Sequence, residues 1–193
     1  VNIALVNELA LISRSLGISV REVLEAADSK PYGFMKFNPG LGVGGHCIPI
    51  DPSYLAFAAK EAGSAAAFIE LANEVNLRMP EKIIKRITYE NGGSLKDKKI
   101  LICGLSYKPD VADVRESPSL KLMNLLSAAG AEIKWYDPIV KEFGGGRSVE
   151  PFTEKYDISI LAMSHKDMNL DWVTMSSGYV FDCLGLIPSA VQL

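Results

Sequence analysis

The apolar pattern of this chain changes period near residue 98, and that change limits what it can fold into. Before it, hydrophobic residues recur at helical spacing or fill every face, as in "VNIALVNELALISRSLG", "SYLAFAAKEAG" and "SAAAFIELANEVNLRMPEKIIKRITYENGG". After it come short continuous apolar runs separated by turns: "KKILICGLSY", "EIKWYDP", "YDISILAMS" and "YVFDCLG". Runs of that length read as buried strands of a parallel sheet. "SLKLMNLLSAAG", between the first two, completes a strand–helix–strand unit. The fold class is therefore α/β in two parts: an all-helical unit over residues 1–93 and a parallel-sheet unit over residues 94–193.

Local signals place the elements. The first helix is apolar on nearly every face and is expected to be buried, with Gly17 just past its end. Ser19 and Glu22 form a capping box, and Ile18 and Val23 are spaced as a hydrophobic staple, so a second helix runs from about Val20 to Ala27. Asp51 and Pro52 read as the cap and first residue of a third helix, which Gly63 ends. Pro80 kinks or restarts the long helix that follows. Ser117–Pro118 caps the helix after the first strand, and "KEFGGGRS" reads as a mobile surface loop.

Bulk properties exclude several functions. Net charge is −3, so no basic surface for nucleic acid is expected. The apolar runs are too short to span a membrane. No signal peptide is visible, and the chain starts at Val1 in mid-pattern, so further sequence is expected ahead of it. Three widely spaced cysteines make no disulfide framework and suit a reducing cytoplasm. Cys103 and Cys183 lie in strand runs and are expected to be buried and inert.

Cys47 is different. It sits in "NPGLGVGGHCIPIDP", among glycines at 40, 42, 44 and 45. Glycines let a backbone approach a ligand closely, and free amides in such a turn stabilise thiolates and oxyanions alike. They equally let chain segments pack, with an incidental thiol between them. Asp51 follows at i+4; as well as capping, a carboxylate there can act as a general base on water. His46 suggests a Cys–His dyad or a metal ligand, but sequence neighbours in a loop usually point apart, and no metal site is expected. In the second unit, "ILICG" leads into "LSYKPDVADVRESPS", at the end of a strand where open sheets bind ligands. Lys108 and Arg115 are there to meet phosphate, or are merely solvated. Gly104 stands alone, so there is no dinucleotide fingerprint.

Four motifs in order resemble the nucleotide-sugar dehydrogenases of the UDP-glucose/GDP-mannose dehydrogenase family: "VNIALVNEL", "PGLGVGGHCIPIDP", "NEVNLRMP", and "GLSYKPDVADVRESPSLKLMNLL" with a later "YDP". The form GGHCIPIDP looks most like the branch acting on UDP-N-acetylhexosamines. The resemblance implies a central helical dimerisation domain with the catalytic cysteine loop, then a C-terminal, Rossmann-like, UDP-sugar-binding α/β domain. The family's N-terminal NAD-binding domain, with its GxGxxG, is not in this chain. It implies oxidation of the sugar C6 alcohol to the uronic acid, in two hydride transfers to NAD through a thiohemiacetal and a thioester on Cys47. Asp51 matches the residue that assists water. Asn38, Pro39, Gly40, Leu41, Gly42, Val43 and Gly44 match the loop around the sugar, Tyr107 and Lys108 match substrate contacts, and Arg115 matches a cofactor contact. The partners implied are a UDP-sugar and a second copy of the chain. Two positions depart from the pattern: Ile50 stands where the UDP-glucose branch has lysine, and Leu184 where the family often has an arginine near the substrate. For this chain by itself, two other readings stay open: UDP-sugar binding without turnover, and a cysteine acyltransferase or hydrolase with a base near Cys47.

Overall fold

The computed structural model describes residues 1–193. Four helices come first: α1 (Asn2–Ser15), α2 (Val20–Asp28), α3 (Cys47–Glu61) and α4 (Ala67–Glu90). The second half runs β1 (Lys99–Cys103), α5 (Pro118–Ala128), β2 (Glu132–Tyr136), β3 (Glu142–Phe143), β4 (Gly146–Arg147), β5 (Tyr156–Leu161), α6 (Leu170–Met175), β6 (Ser177–Asp182) and β7 (Val191–Gln192). None of the helices is long and apolar enough to cross a membrane.

The main sheet has strand order β2-β1-β5-β6-β7, and every pairing in it is parallel. Successive residues of β1 alternate faces. Ile100 and Ile102 join one core with Leu122 and Leu126 of α5, while Leu101 and Cys103 join the other with Trp172 and Val173 of α6. The first core also takes Ile83 and Ile87 from α4. That helix therefore ends inside the α/β unit although it begins among the helices. The strand order turns back between β1 and β5, so their carboxyl ends open a crevice of the kind where such sheets bind ligands.

The caps at Ser19 and Ser117 form as expected. Ser19 Oγ accepts from the Glu22 N–H and Ser117 Oγ from the Ser119 N–H. Ile18 and Val23 both remain exposed. Other expectations change. Helix α3 starts at Cys47, so Asp51 is not its cap and lies in its second turn. Pro49 permits this, because an N–H at the third helical position has no intrahelical acceptor anyway. "KEFGGGRS" is not a loop but the β3–β4 hairpin. Gly144 and Gly145 both have positive φ, +58° and +79°, as a tight hairpin turn requires. Helix α6 and strand β7 had no distinct sequence signal. Helix α1 buries only one side, Ala4, Val6, Asn7, Ala10 and Ser13, and leaves Leu5, Ile12 and Leu16 exposed. Its apolar outer face finds no cover within the chain.

Candidate functional site

Cys47 is the first residue of α3 and the one exposed cysteine; Cys103 and Cys183 are fully buried, and burial pushes both thiols well up. Asp51 lies one turn further along the same helix. Side chains at i and i+4 share a face, with about 5–6 Å between their Cβ atoms. Both line a cleft of about 680 Å³ between the start of α1, the first turns of α3 and the first half of α4. Val43, Ile69 and Ala72 give it apolar walls, and Asn73 and Asn76 give it amides. The first-turn N–H groups of α3 have no helical partner, so a positive dipole end faces this place. His46 precedes Cys47, and its Nδ1 comes within 4.0 Å of Cys47 Sγ. The side chains of these two sequence neighbours do not diverge as expected, because the chain has already entered helical geometry at His46 (φ −86°, ψ −51°).

The glycine loop is held from three sides, which explains its composition. A Cβ at Gly42 would lie 2.9 Å from the Asn76 carbonyl oxygen. Pro80 has no N–H to give that carbonyl, four residues earlier in α4, so the close approach of Gly42 covers an oxygen that the helix leaves free. A Cβ at Gly44 would lie 2.8 Å from both Tyr107 Cβ and the Glu116 carbonyl, and one at Gly45 would meet the Tyr107 ring. The Gly45 N–H also donates to the Arg115 carbonyl at 3.1 Å. The Gly40 N–H donates to Asn7 Oδ1 at 2.9 Å, and Asn7 Nδ2 donates to Asn76 Oδ1 at 3.1 Å. Leu41 is buried in the first core with Ile83 and Ile87, so only its backbone is free to meet a ligand. Pro39 is buried too, whereas Asn38 is exposed. Of the loop residues matched to the sugar, Val43 is the one that lines the cleft.

Tyr107, Lys108 and Arg115 lie on the segment between β1 and α5. None of them lines the cleft itself, but Tyr107 and the Arg115 carbonyl bear directly on the Gly44–Gly45 turn beside Cys47. Lys108 is exposed. Arg115 is not simply solvated: its Nη2 lies 2.6 Å from Asp113 Oδ2, and its Nε donates to the same carboxylate. The Arg115 guanidinium holds the Asp113 carboxyl below the usual carboxylate range, with the His46 ring a smaller contributor. Leu184 packs against the second core.

A buried polar knot fixes this segment. Asp137 Oδ2 accepts from the Leu105 and Ser106 N–H groups at 2.8 and 3.3 Å, and Oδ1 accepts from Ile139 and Val140, each at 2.9 Å. His165 Nδ1 accepts from the Asp110 N–H at 2.9 Å, which places the ring proton on Nε2, facing Asp137 Oδ2 at 3.1 Å and Ser106 Oγ at 3.0 Å. Serine, histidine and aspartate meet here, yet the serine and the aspartate share one ring nitrogen, so this is no nucleophilic triad. Burial works to raise the Asp137 carboxyl. The N–H groups of Val140, Ile139 and Leu105, with His165, outweigh it and hold the carboxyl below its ordinary range. A Cβ at Gly104 would fall 2.1 Å from the Met163 carbonyl oxygen, so this glycine serves chain packing and cradles no phosphate.

Sequence reasoning missed Asn7, Asn76, Asp137 and His165. The first two carried a signal: an asparagine inside an apolar helical stripe must be satisfied by something distant.

Comparison with known proteins finds matches for both halves of the chain. Residues 1–78 match the central domain of the UDP-glucose/GDP-mannose dehydrogenase family, and residues 101–188 match its UDP binding domain. A UDP-N-acetyl-D-mannosamine dehydrogenase of Pyrococcus horikoshii is 35% identical over 178 residues, which is 89% of this chain and 41% of that protein. An NDP-N-acetyl-D-galactosaminuronic acid dehydrogenase of Ralstonia solanacearum is 31% identical over 96% of this chain and 45% of its own length. A solved UDP-D-ManNAc dehydrogenase structure from Pyrococcus horikoshii superposes with a TM-score of 0.81 at 30% identity, covering 99% of this chain and 47% of that one. The chain thus spans less than half the length of these relatives.

Proposed function

Because the chain belongs to the UDP-glucose/GDP-mannose dehydrogenase family, we propose that it is the helical and UDP-binding portion of an NAD-dependent UDP-sugar 6-dehydrogenase. The substrate of this reading is a UDP-N-acetylhexosamine, the class that the relatives' names and the GGHCIPIDP form both suggest. The carrying observation is the pairing of an exposed Cys47 at a helix start with Asp51 one turn later, both in one cleft.

Cys47 Sγ adds to the C6 aldehyde and holds the carbon covalently between two oxidations. Asp51 takes the proton of the water that releases the acid. The first-turn amides of α3 bear on negative charge that develops on the C6 oxygen. Tyr107 and Lys108 contact the substrate from the second unit. NAD, when bound, supplies the hydride acceptor for both oxidations. The residues present fit NAD only at an edge: Arg115 is an exposed cation able to meet a phosphate on leaving Asp113, and the α/β half has no dinucleotide cradle.

Two copies pair through the helical unit in this reading. Tyr54 and Phe57 of α3 and Phe68 and Leu71 of α4 are more than half exposed, a large apolar area for one chain to leave uncovered. A reducing cytoplasm suits a free thiol nucleophile.

The absence of a dinucleotide cradle favours a second reading for this chain by itself, a dimerising UDP-sugar-binding unit without turnover. Incubation with a UDP-N-acetylhexosamine and NAD separates the two. Formation of NADH overturns the second. Calorimetric binding of the UDP-sugar with no NADH supports it. In the full-length protein, uronate formation that survives Cys47→Ser removes Cys47 from the mechanism.

A further inference from the structure

The hydrogen bonds behind the cysteine loop fix which way one buried amide faces. The Gly40 N–H can only donate, so the Asn7 atom it meets is the oxygen, Oδ1. Asn7 Nδ2 therefore faces Asn76, which must answer with its own oxygen. Both asparagines are buried: Asn7 is 0% and Asn76 6% exposed. An amide flip at either would set donor against donor or acceptor against acceptor. What remains is Asn76 Nδ2. It meets no acceptor within the protein, and Asn76 lines the cleft that holds Cys47 and Asp51. Asn73 lines the same cleft, but its Nδ2 already donates to Ser53 Oγ at 3.3 Å.

Arg21 Nη2 and Tyr156 Oη are the side-chain polar atoms sealed without a partner; Asn76 Nδ2 is not one of them and keeps an opening to solvent. A donor free of protein acceptors, on a residue that lines the cysteine cleft, is available to a ligand there. We infer that Asn76 Nδ2 donates a hydrogen bond to the oxygen of the carbon that Cys47 attacks. The inference rests on the reading of Cys47 as the nucleophile. In that step the C–S bond forms and the carbonyl π bond breaks. Its electron pair goes to oxygen, which takes up the proton the thiol gives away. Nothing is oxidised. Asn76 Nδ2 and the free first-turn amides of α3 come from two different helices and bear on the same oxygen. This is the arrangement of side-chain and backbone donors that stabilises tetrahedral adducts elsewhere.

The adduct can be tested without any nicotinamide. The probe is UDP carrying an N-acetylhexosamine 6-aldehyde. The readout is protection of Cys47, the one exposed thiol, from iodoacetamide, followed by intact mass. The wild-type chain is protected. Asn76→Asp keeps an oxygen for Asn7 Nδ2 and loses the donor. It is expected to need about tenfold more aldehyde for the same protection, each variant being read against its own alkylation rate without aldehyde, which the added carboxylate lowers by disfavouring the thiolate. Asn76→Leu, which adds no charge, gives the same reading if Asn76→Asp does not fold. Unaltered protection in the variants overturns the inference. So does, in the uncharged Asn76→Leu, a parallel change in protection and in the bare alkylation rate, which marks a loosened loop. Wild-type chain that binds UDP but shows no aldehyde protection instead overturns Cys47 as the nucleophile, and the inference with it.

Discussion

Asn7 and Asn76, 69 residues apart, share a 3.1 Å hydrogen bond that ties α1 to α4 beneath the cysteine loop. The same Asn7 holds the Gly40 N–H. Removing it leaves one buried donor and one buried acceptor unpaired. Asn7→Leu is expected to cost about 2–4 kcal/mol. Urea denaturation reads this as a lower midpoint at constant slope, and a loss under 0.5 kcal/mol, about the size of a bland surface change, would deny the pair its role.

The loop glycines are not equivalent. Gly40 has open space where a Cβ would go, and Gly40→Ala keeps the N–H that Asn7 accepts. That variant is expected to fall within about 0.5 kcal/mol of wild type. Gly44→Ala puts a methyl 2.8 Å from Tyr107 and the Glu116 carbonyl. It is expected to cost about 1–3 kcal/mol and to weaken UDP-sugar binding, as the α5 entry moves away from Cys47. Paired melting curves and calorimetry on the two variants check this.

Acid sensitivity should concentrate at Asp137. Its folded-state pKa lies below its unfolded value. The stability it contributes is therefore complete above about pH 4, the ordinary aspartate value, and is lost as the pH falls through the folded value. Asp137→Asn is expected to be less stable than wild type by a constant amount from pH 6 to 8. The gap should narrow below about pH 4. Denaturation midpoints across pH 3–8 measure it; a gap that widens in acid contradicts the assignment.

Asp51 lies in the second turn of α3 and caps nothing. Asp51→Ala and Asp51→Asn are both expected within about 0.5 kcal/mol of wild type in stability. In the full-length protein both should lower turnover about 10²–10⁴-fold, the range of a lost general base. If Asp51→Asn turns over normally, Asp51 is no base.

Thiol titration offers a simple check of burial. Ellman's reagent is expected to react with one cysteine in the native chain and with all three after denaturation, because Cys103 and Cys183 are enclosed. Rapid reaction of a second native thiol would mean that a sheet core opens.

Much of this site is legible in the chain itself. Cys47 and Asp51 are four residues apart, so any helix through both puts them on one face. The strands of "KILIC" and "YDISIL" follow from their apolar runs, and the lone Gly104 rules out a dinucleotide fingerprint. Where α3 begins is not legible. Asp51–Pro52 is a sound local signal for a helix start, yet the chain enters the helix at Cys47, because the loop before it is clamped by Tyr107, Arg115 and Asn76 from outside. Composition also left open whether the glycines serve a ligand or the packing of the chain. At Gly42, Gly44 and Gly45 they serve the packing, which holds Cys47 where it is.

The parallel α/β sheet, a thiol outside the strand runs and the four-residue spacing from thiol to carboxylate are all written in single stretches of chain, because periodicity and spacing need no distant partner. The orientation of the Asn76 amide, by contrast, is a product of folding. That depends on a donor at Gly40, an amide at Asn7 and an amide at Asn76 meeting from three separate segments, where hydrogen-bond polarity leaves a single arrangement.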